Sequence, residues 1–274
     1  LIKFLILSFT AFIVSSPLLA VEVKNTSRVI SLSPAITEII FALGLEKKIV
    51  GVSEFSDFPS AAEKIPRVGP YSKPDLEKIY SMVPDLVFVA VEGPEDVLRH
   101  LEQMNISYQV LQMKTLSEIG DAAEIISTRL GDKEKGIEFK KKWDKDLKNI
   151  FPLRSEKRPS VLIEIQREPL IVAGNHTFLD EIVTKCGGSN IFHSLQGYPH
   201  VSTEAVITNK PKLILLADFF PDEKSHVRAL NLWREIKILK NAKVEDLDPN
   251  TATRPGPRLL VGVRRICQIL AGMP

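Results

Sequence analysis

DLEKIYSMVPDLVFVA, from Asp75 to Ala90, and STEAVITNKPKLILLA, from Ser202 to Ala217, are two copies of one pattern. They align without a gap at a separation of 127 residues. Glu77 falls on Glu204, Ile79 on Val206, Pro84 on Pro211, Leu86 on Leu213 and Ala90 on Ala217. Each copy predicts a short amphipathic helix, a proline that ends it, and a buried strand. Repeated α/β units this far apart imply two similar lobes with a cleft between them and a matching acidic residue outside each. That layout suits a protein that holds a ligand between its lobes and shows both lobes to a partner. It does not suit an enzyme built around one constellation.

Outward from the first copy, Arg28 to Leu32 reads as a strand and Ser33-Pro34 opens the helical run Ala35 to Leu43, proline being favoured where a helix N–H has no intrahelical partner. Ile49 to Val52, Asp96 to Met104 and Tyr108 to Leu111 read as strand, helix and strand. The order β-α-β-loop-α-β-α-β fits a small, largely parallel sheet covered by helices. From Leu116 to about Asn149 the apolar residues recur at helical spacing in a stretch without proline. This predicts one long helix joining the lobes, with Gly131 and Gly136 as weak points. Such a connection resists wide hinge closure.

Around the second copy, Val161 to Ile165, Phe178 to Cys186, Ala242 to Leu247 and Leu259 to Leu270 read as strand, helix, strand and helix, with Val227 to Trp233 a further helical candidate. The fold class is α/β, two lobes with mostly parallel sheets joined by a single long helix. The expected organisation is a signal peptide at 1–20, an amino-terminal lobe at 21–115, the connector at 116–150 and a carboxy-terminal lobe at 151–274.

Lys3, the apolar run Phe4 to Val14 and the small Ala20 have the form of a secretory signal peptide, with a retained anchor as the alternative. A formal net charge of +2, with no basic tail, argues against nucleic acid as a partner. Cys186 and Cys267 lack metal-ligand spacing. In an oxidising compartment they are either a disulfide or two buried thiols.

Parallel sheets place ligand-facing loops at the carboxyl ends of their strands. This directs Ser33, Pro34, the loop Ser53 to Phe58, Ala90 to Gly93, Gly174 to Thr177 with His176, Phe219, and the loop Pro249 to Pro257 with Asn250, Thr251 and Arg254 toward the cleft. Tyr71 and Tyr198 each stand four residues before a repeat copy and are candidate aromatic walls for a large flat ligand, or loop packing. Arg254 can hydrogen-bond ligand amides or neutralise a ligand carboxylate. Glu77 and Glu204 lie in first helical turns, where a carboxylate serves either as a helix-terminal charge or as one of two docking points on a two-fold partner. His176, His193 and His200 lack tight metal spacing, and no nucleophile elbow or Gly-rich phosphate loop is present.

RVISLSPAITEIIFALG, GVSEFSDFP, the two repeat copies, CGGSNIF and the final helix with Cys267 together resemble the periplasmic substrate-binding proteins with a helical backbone, and within them the cobalamin-binding branch. The resemblance spans essentially the chain beyond the signal segment. It implies capture of a ligand in the cleft and delivery to the permease dimer of an inner-membrane ABC transporter by a periplasmic monomer with no intrinsic cofactor. By the same resemblance Glu77 and Glu204 dock on permease arginines, Cys186 and Cys267 form a disulfide, Phe55, Tyr71 and Tyr198 line the cleft, and Arg254 sits at its rim. Tyr71 and Tyr198 stand where the branch usually carries tryptophan, and Ala90 and Thr251 where it carries larger rings, which implies a roomier, less aromatic pocket. Cobalamin is the expected ligand, with haem and ferric siderophores as alternatives.

Overall fold

A computed structural model describes residues 26–90, 95–151, 158–218 and 231–273. The signal segment, the loop at 91–94, Phe219 and most of the candidate helix at 227–233 lie outside the described residues. Residues 231–233 are helical, within a segment at 231–235.

The first lobe is a four-stranded sheet of β1 (Val29–Ser31), β2 (Ile49–Val52), β3 (Leu86–Ala90) and β4 (Tyr108–Leu111) in the order β2-β1-β3-β4. Every pairing is parallel. Helices α1 (Pro34–Ala42), α2 (Leu76–Ser81) and α3 (Glu95–Gln103) connect them. In the second lobe β5 (Ser160–Gln166), β6 (Ile171–Val172), β8 (Leu213–Leu216) and β9 (Lys243–Asp246) run in the order β6-β5-β8-β9, and β7 (Ser189–Asn190) also pairs with β5. Among the described strands of this lobe only β6 is antiparallel, a two-residue edge strand too short to register as a periodic signal. Helices α6 (Phe178–Lys185), α7 (Thr203–Asn209), α8 (Pro249–Ala252) and α9 (Leu259–Ala271) complete this lobe. The α8 turn lies in a stretch read as loop. Pro249 occupies its first position and Asp248 accepts the Asn250 N–H.

The two repeat copies fold alike. Asp75 accepts the Lys78 N–H to cap α2, and Ser202 accepts the Ala205 N–H to cap α7, each satisfying an amide with no partner inside its helix. β3 lies between β1 and β4, and β8 between β5 and β9, so the two copies supply the corresponding inner strand of each sheet. Leu86–Val89 and Leu213–Leu216 are buried throughout, because strands covered by helices on both faces read as unbroken apolar runs.

The connector is helical but is not one helix. It is α4 (Leu116–Arg129) and α5 (Lys133–Ile150), which turn back on each other at Leu130–Asp132. Gly131 takes φ +80°, a value that glycine reaches without steric cost and that ends α4. A straight rod over this stretch would run roughly 50 Å with its apolar stripe uncovered along much of its length. Folding back pairs the stripes instead: Trp143 is buried and its indole N–H donates to the Leu116 carbonyl at 2.7 Å. Gly136 permits the close approach, since a Cβ there would meet Ser127 Oγ and lie 2.6 Å from Glu124 Cα. α4 touches α1 and α5 touches α9, so the pair bridges the lobes. One buried apolar cluster accordingly runs from Val29 and Phe88 through Ile119, Ile126 and Trp143 to Ile163, Leu213 and Ile266.

Cys186, at the end of α6, and Cys267, in α9, form a disulfide with Cα atoms 4.8 Å apart. It ties two helices of the same lobe.

Candidate functional site

In the first lobe a buried group of hydroxyls fixes the loops that leave β1 and β2. Thr37 Oγ1 lies 2.9 Å from Ser31 Oγ, 3.1 Å from the Ser33 carbonyl and 3.1 Å from Ser56 Oγ, while Ser53 Oγ is 3.0 Å from Ser56 Oγ. Arg67 donates to the Ser56 carbonyl at 2.7 Å, and the Glu54 N–H donates to the Gly69 carbonyl at 2.9 Å. The loop held in this way carries Phe55, whose side chain is 58% exposed despite its size. The Gly69 contact also brings this loop beside the segment bearing Tyr71. Tyr71 is half-buried and its hydroxyl donates to the Ala90 carbonyl at 3.3 Å. Ser33 is buried and Pro34 begins α1, so both shape the turn at the carboxyl end of β1.

In the second lobe the loops bearing His176 and Tyr198 are stitched together. Gly174 N–H donates to the Gly197 carbonyl at 2.8 Å, Asn175 N–H to Leu195 at 2.7 Å, and Gly197 N–H to Asn175 at 2.9 Å. Tyr198 is half-buried against the shared core. His176 is exposed and takes φ +56° in the turn before α6. Thr251 Oγ1 lies 3.1 Å from Asp248 Oδ2, and the Asn250 N–H donates to Asp248 Oδ1 at 3.0 Å, so Asp248 organises that loop. His193 is explained locally: its Nδ1 sits 2.9 Å from Asp180 Oδ2, and Asp180 also takes the Asn190 amide at 2.7 Å. Among the described residues no three His, Cys, Asp or Glu side chains gather as a metal site.

The lobes meet in a cluster of four charges. Arg258 Nη2 reaches Glu38 Oε1 at 2.6 Å and its Nε reaches Oε2 at 3.0 Å. Arg254 Nη1 reaches Asp57 Oδ1 at 2.6 Å and stands 3.8 Å from Glu38 Oε1. The Arg258 guanidinium lies 4.1 Å over the Phe58 ring. Burial pushes the Glu38 carboxyl above its ordinary value, opposed by the Arg258 hydrogen bond and the two arginine charges. Burial also works to raise Asp57, but the Arg254 hydrogen bond and charge outweigh it and hold that carboxyl below its ordinary value. Arg254 is thus engaged by an acid from the opposite lobe. Glu38 and Asp57 were missed from sequence. The available signal was Glu38 itself, the lone charge inside the apolar helix PAITEIIFA.

A comparable buried acid sits in the second lobe. Glu164, alone in the strand SVLIEIQ, pairs with Arg167 at 3.3 Å and accepts the Trp233 indole N–H. Arg167 lies 4.6 Å over the Trp233 ring and 3.4 Å from Thr203 Oγ1, at the start of α7.

Glu77 and Glu204 are exposed at equivalent positions of α2 and α7. The Glu204 carboxyl is held below its ordinary value by its own backbone N–H and by the Ser202 hydroxyl.

Two α/β lobes, mostly parallel sheets and a helical connection define a binding protein of the helical-backbone class. The chain belongs to the periplasmic binding protein family, whose sequence profile matches residues 29–251. It is 31% identical over 258 residues to the vitamin B12-binding protein of Vibrio vulnificus, covering 93% of each chain. The crystal structure of the periplasmic vitamin B12 binding protein of Vibrio cholerae superposes with a TM-score of 0.77 at 30% identity, covering 90% of this chain and 97% of that one. A periplasmic heme binding protein from Pseudomonas aeruginosa superposes equally well, with a TM-score of 0.77 at 25% identity, covering 89% of this chain and 92% of that one. Proteins of this family deliver a captured solute to an ABC transporter, and this chain shares that role.

Proposed function

We propose that this protein captures cobalamin or a closely related corrinoid between its lobes and hands it to the permease of an ABC importer. The observation that carries the reading is identity of 31% sustained over 93% of both chains with a vitamin B12-binding protein. The site supports it. Phe55, Tyr71 and Tyr198 offer ring surface on cleft loops from both lobes, as a broad, largely apolar chelate requires. The Tyr71 hydroxyl donates to the Ala90 carbonyl, which ties the loop bearing this ring to the end of β3. Ser33, Pro34, His176, Asn250, Thr251 and Arg254 complete the proposed lining. Glu77 and Glu204 are the proposed docking points, one per lobe, for a two-fold permease.

The deciding experiment titrates the purified chain with cyanocobalamin, with hemin as competitor, and follows the absorption spectrum. Saturable one-to-one binding that hemin does not displace is the expected result. A ligated-haem spectrum without cyanocobalamin binding, lost on changing Tyr71 or His176, would replace this reading with haem uptake. Silence with both would turn the search to ferric siderophores.

A further inference from the structure

We infer that Asp57 sets the charge selectivity of the cleft by neutralising Arg254, so that the site accepts chelates bearing neutral amides and rejects those bearing carboxylates. This rests on the inter-lobe cleft as the ligand site, and it extends the proposed ligand class to a rule about side-chain charge.

The geometry is specific. Arg254 and Arg258 come from the segment joining α8 to α9, which follows the carboxyl end of β9, and Asp57 from the loop that follows β2. Both are positions where parallel sheets meet their ligands, and Asp57 is two residues from Phe55. Two guanidiniums face Glu38 and Asp57, and the Asp248 charge also acts on Arg258, so no positive charge in the cluster goes unmatched. The partners are not equally available, however. The Glu38 side chain is 2% exposed and already takes two hydrogen bonds from Arg258. The Asp57 side chain is 53% exposed and takes its side-chain hydrogen bond from Arg254, at 2.6 Å. Among the described residues the other acidic neighbour of Arg254 is Glu38, at 3.8 Å. Removing the Asp57 charge therefore strips Arg254 of its hydrogen-bonded acid and frees a planar fork suited to a carboxylate. With Asp57 present, an incoming carboxylate must displace an existing partner and meets a second negative charge. An amide can hydrogen-bond the same groups without either cost.

The test compares cyanocobalamin with its monocarboxylic acid derivative, in which one side-chain amide is replaced by a carboxylate. The ring and outline are the same and only the charge differs. The wild-type chain is expected to prefer the amide. Asp57→Asn is expected to shift the ratio of the two dissociation constants toward the acid by about tenfold, a pair at the edge of the protein being partly screened. Asp57→Ser repeats the measurement with a different replacement. Glu54→Gln, a charge change of equal size on the same loop at an exposed residue, is expected to leave the ratio within twofold. An unchanged ratio in both Asp57 variants, or an equal shift in Glu54→Gln, overturns the inference while leaving corrinoid capture intact. If the wild type binds neither corrinoid, the proposed ligand falls, and the same ratio is read with hemin and its neutral dimethyl ester. Indifference of that ratio to Asp57 then overturns the inference on its own terms.

Discussion

Val83 and Lys210 take φ values of 46° and 44°, and each immediately precedes the proline of its repeat copy. The internal likeness of the lobes thus extends to a left-handed residue that ends each short helix before the inner strand. For a β-branched side chain this is costly, and Val83 is also 70% exposed, so its apolar surface gains little in return. Val83→Gly is expected to raise stability by about 0.5–1 kcal/mol, glycine being suited to this helix-ending position; urea unfolding measures it, and a loss would refute the strain. Asp57 gives a second expectation at this scale. Its carboxyl is held below its ordinary value in the folded state, so the pair with Arg254 contributes fully above the unfolded aspartate value of about 4. That contribution is lost as pH falls through the folded value. The melting-temperature difference between wild type and Asp57→Asn should be constant at neutral pH and close toward zero in stronger acid. Single residues were also where the sequence was hardest to read. A charge inside an apolar run, as with Glu38 and Glu164, announces that it must find a partner when buried, but not which distant arginine will supply it.

At the scale of elements the reading was largely legible, because strand and helix periods are local. β2, β4, α1, α6 and α9 fall within a residue or so of their expected limits, and the paired caps of α2 and α7 follow from Asp75 and Ser202. The connector was not legible as drawn. Helical spacing continues through Leu130 to Lys133 with little change, and only the φ of Gly131 turns one rod into two antiparallel helices. Gly136 carries the consequence. Gly136→Ala is expected to destabilise the protein by about 2–3 kcal/mol, since the new Cβ would meet not only Ser127 Oγ but also the backbone of Glu124 and Ala123, which cannot yield as a side chain can; the unfolding midpoint reports it. The matched helices make a separate prediction. Reversing the charge of both Glu77 and Glu204 should leave ligand affinity unchanged and abolish stimulation of the transporter's ATPase in reconstituted vesicles. Undiminished stimulation would remove the docking proposal.

For the whole molecule, the decisive feature is that two sheets share one apolar core through α4, α5 and α9. The sequence announced two lobes through its repeat, but a shared core depends on which faces meet in space, and no local pattern records that. Lobes sealed in this way should unfold together: calorimetry is expected to give one transition, with the van't Hoff and calorimetric enthalpies equal. Two separated transitions would show the lobes to be independent.

The place of α9 in that core has a consequence in time. It follows every other helix and strand described, yet Val263, Ile266 and Ile269 fill the common interior, and Cys267 closes the bridge to α6. A chain emerging from its amino end can form the first sheet early, but the interior that joins both sheets stays open until α9 arrives. Closure therefore runs against the order of synthesis, and the growing polypeptide keeps that interior open to chaperones and proteases until α9 has emerged.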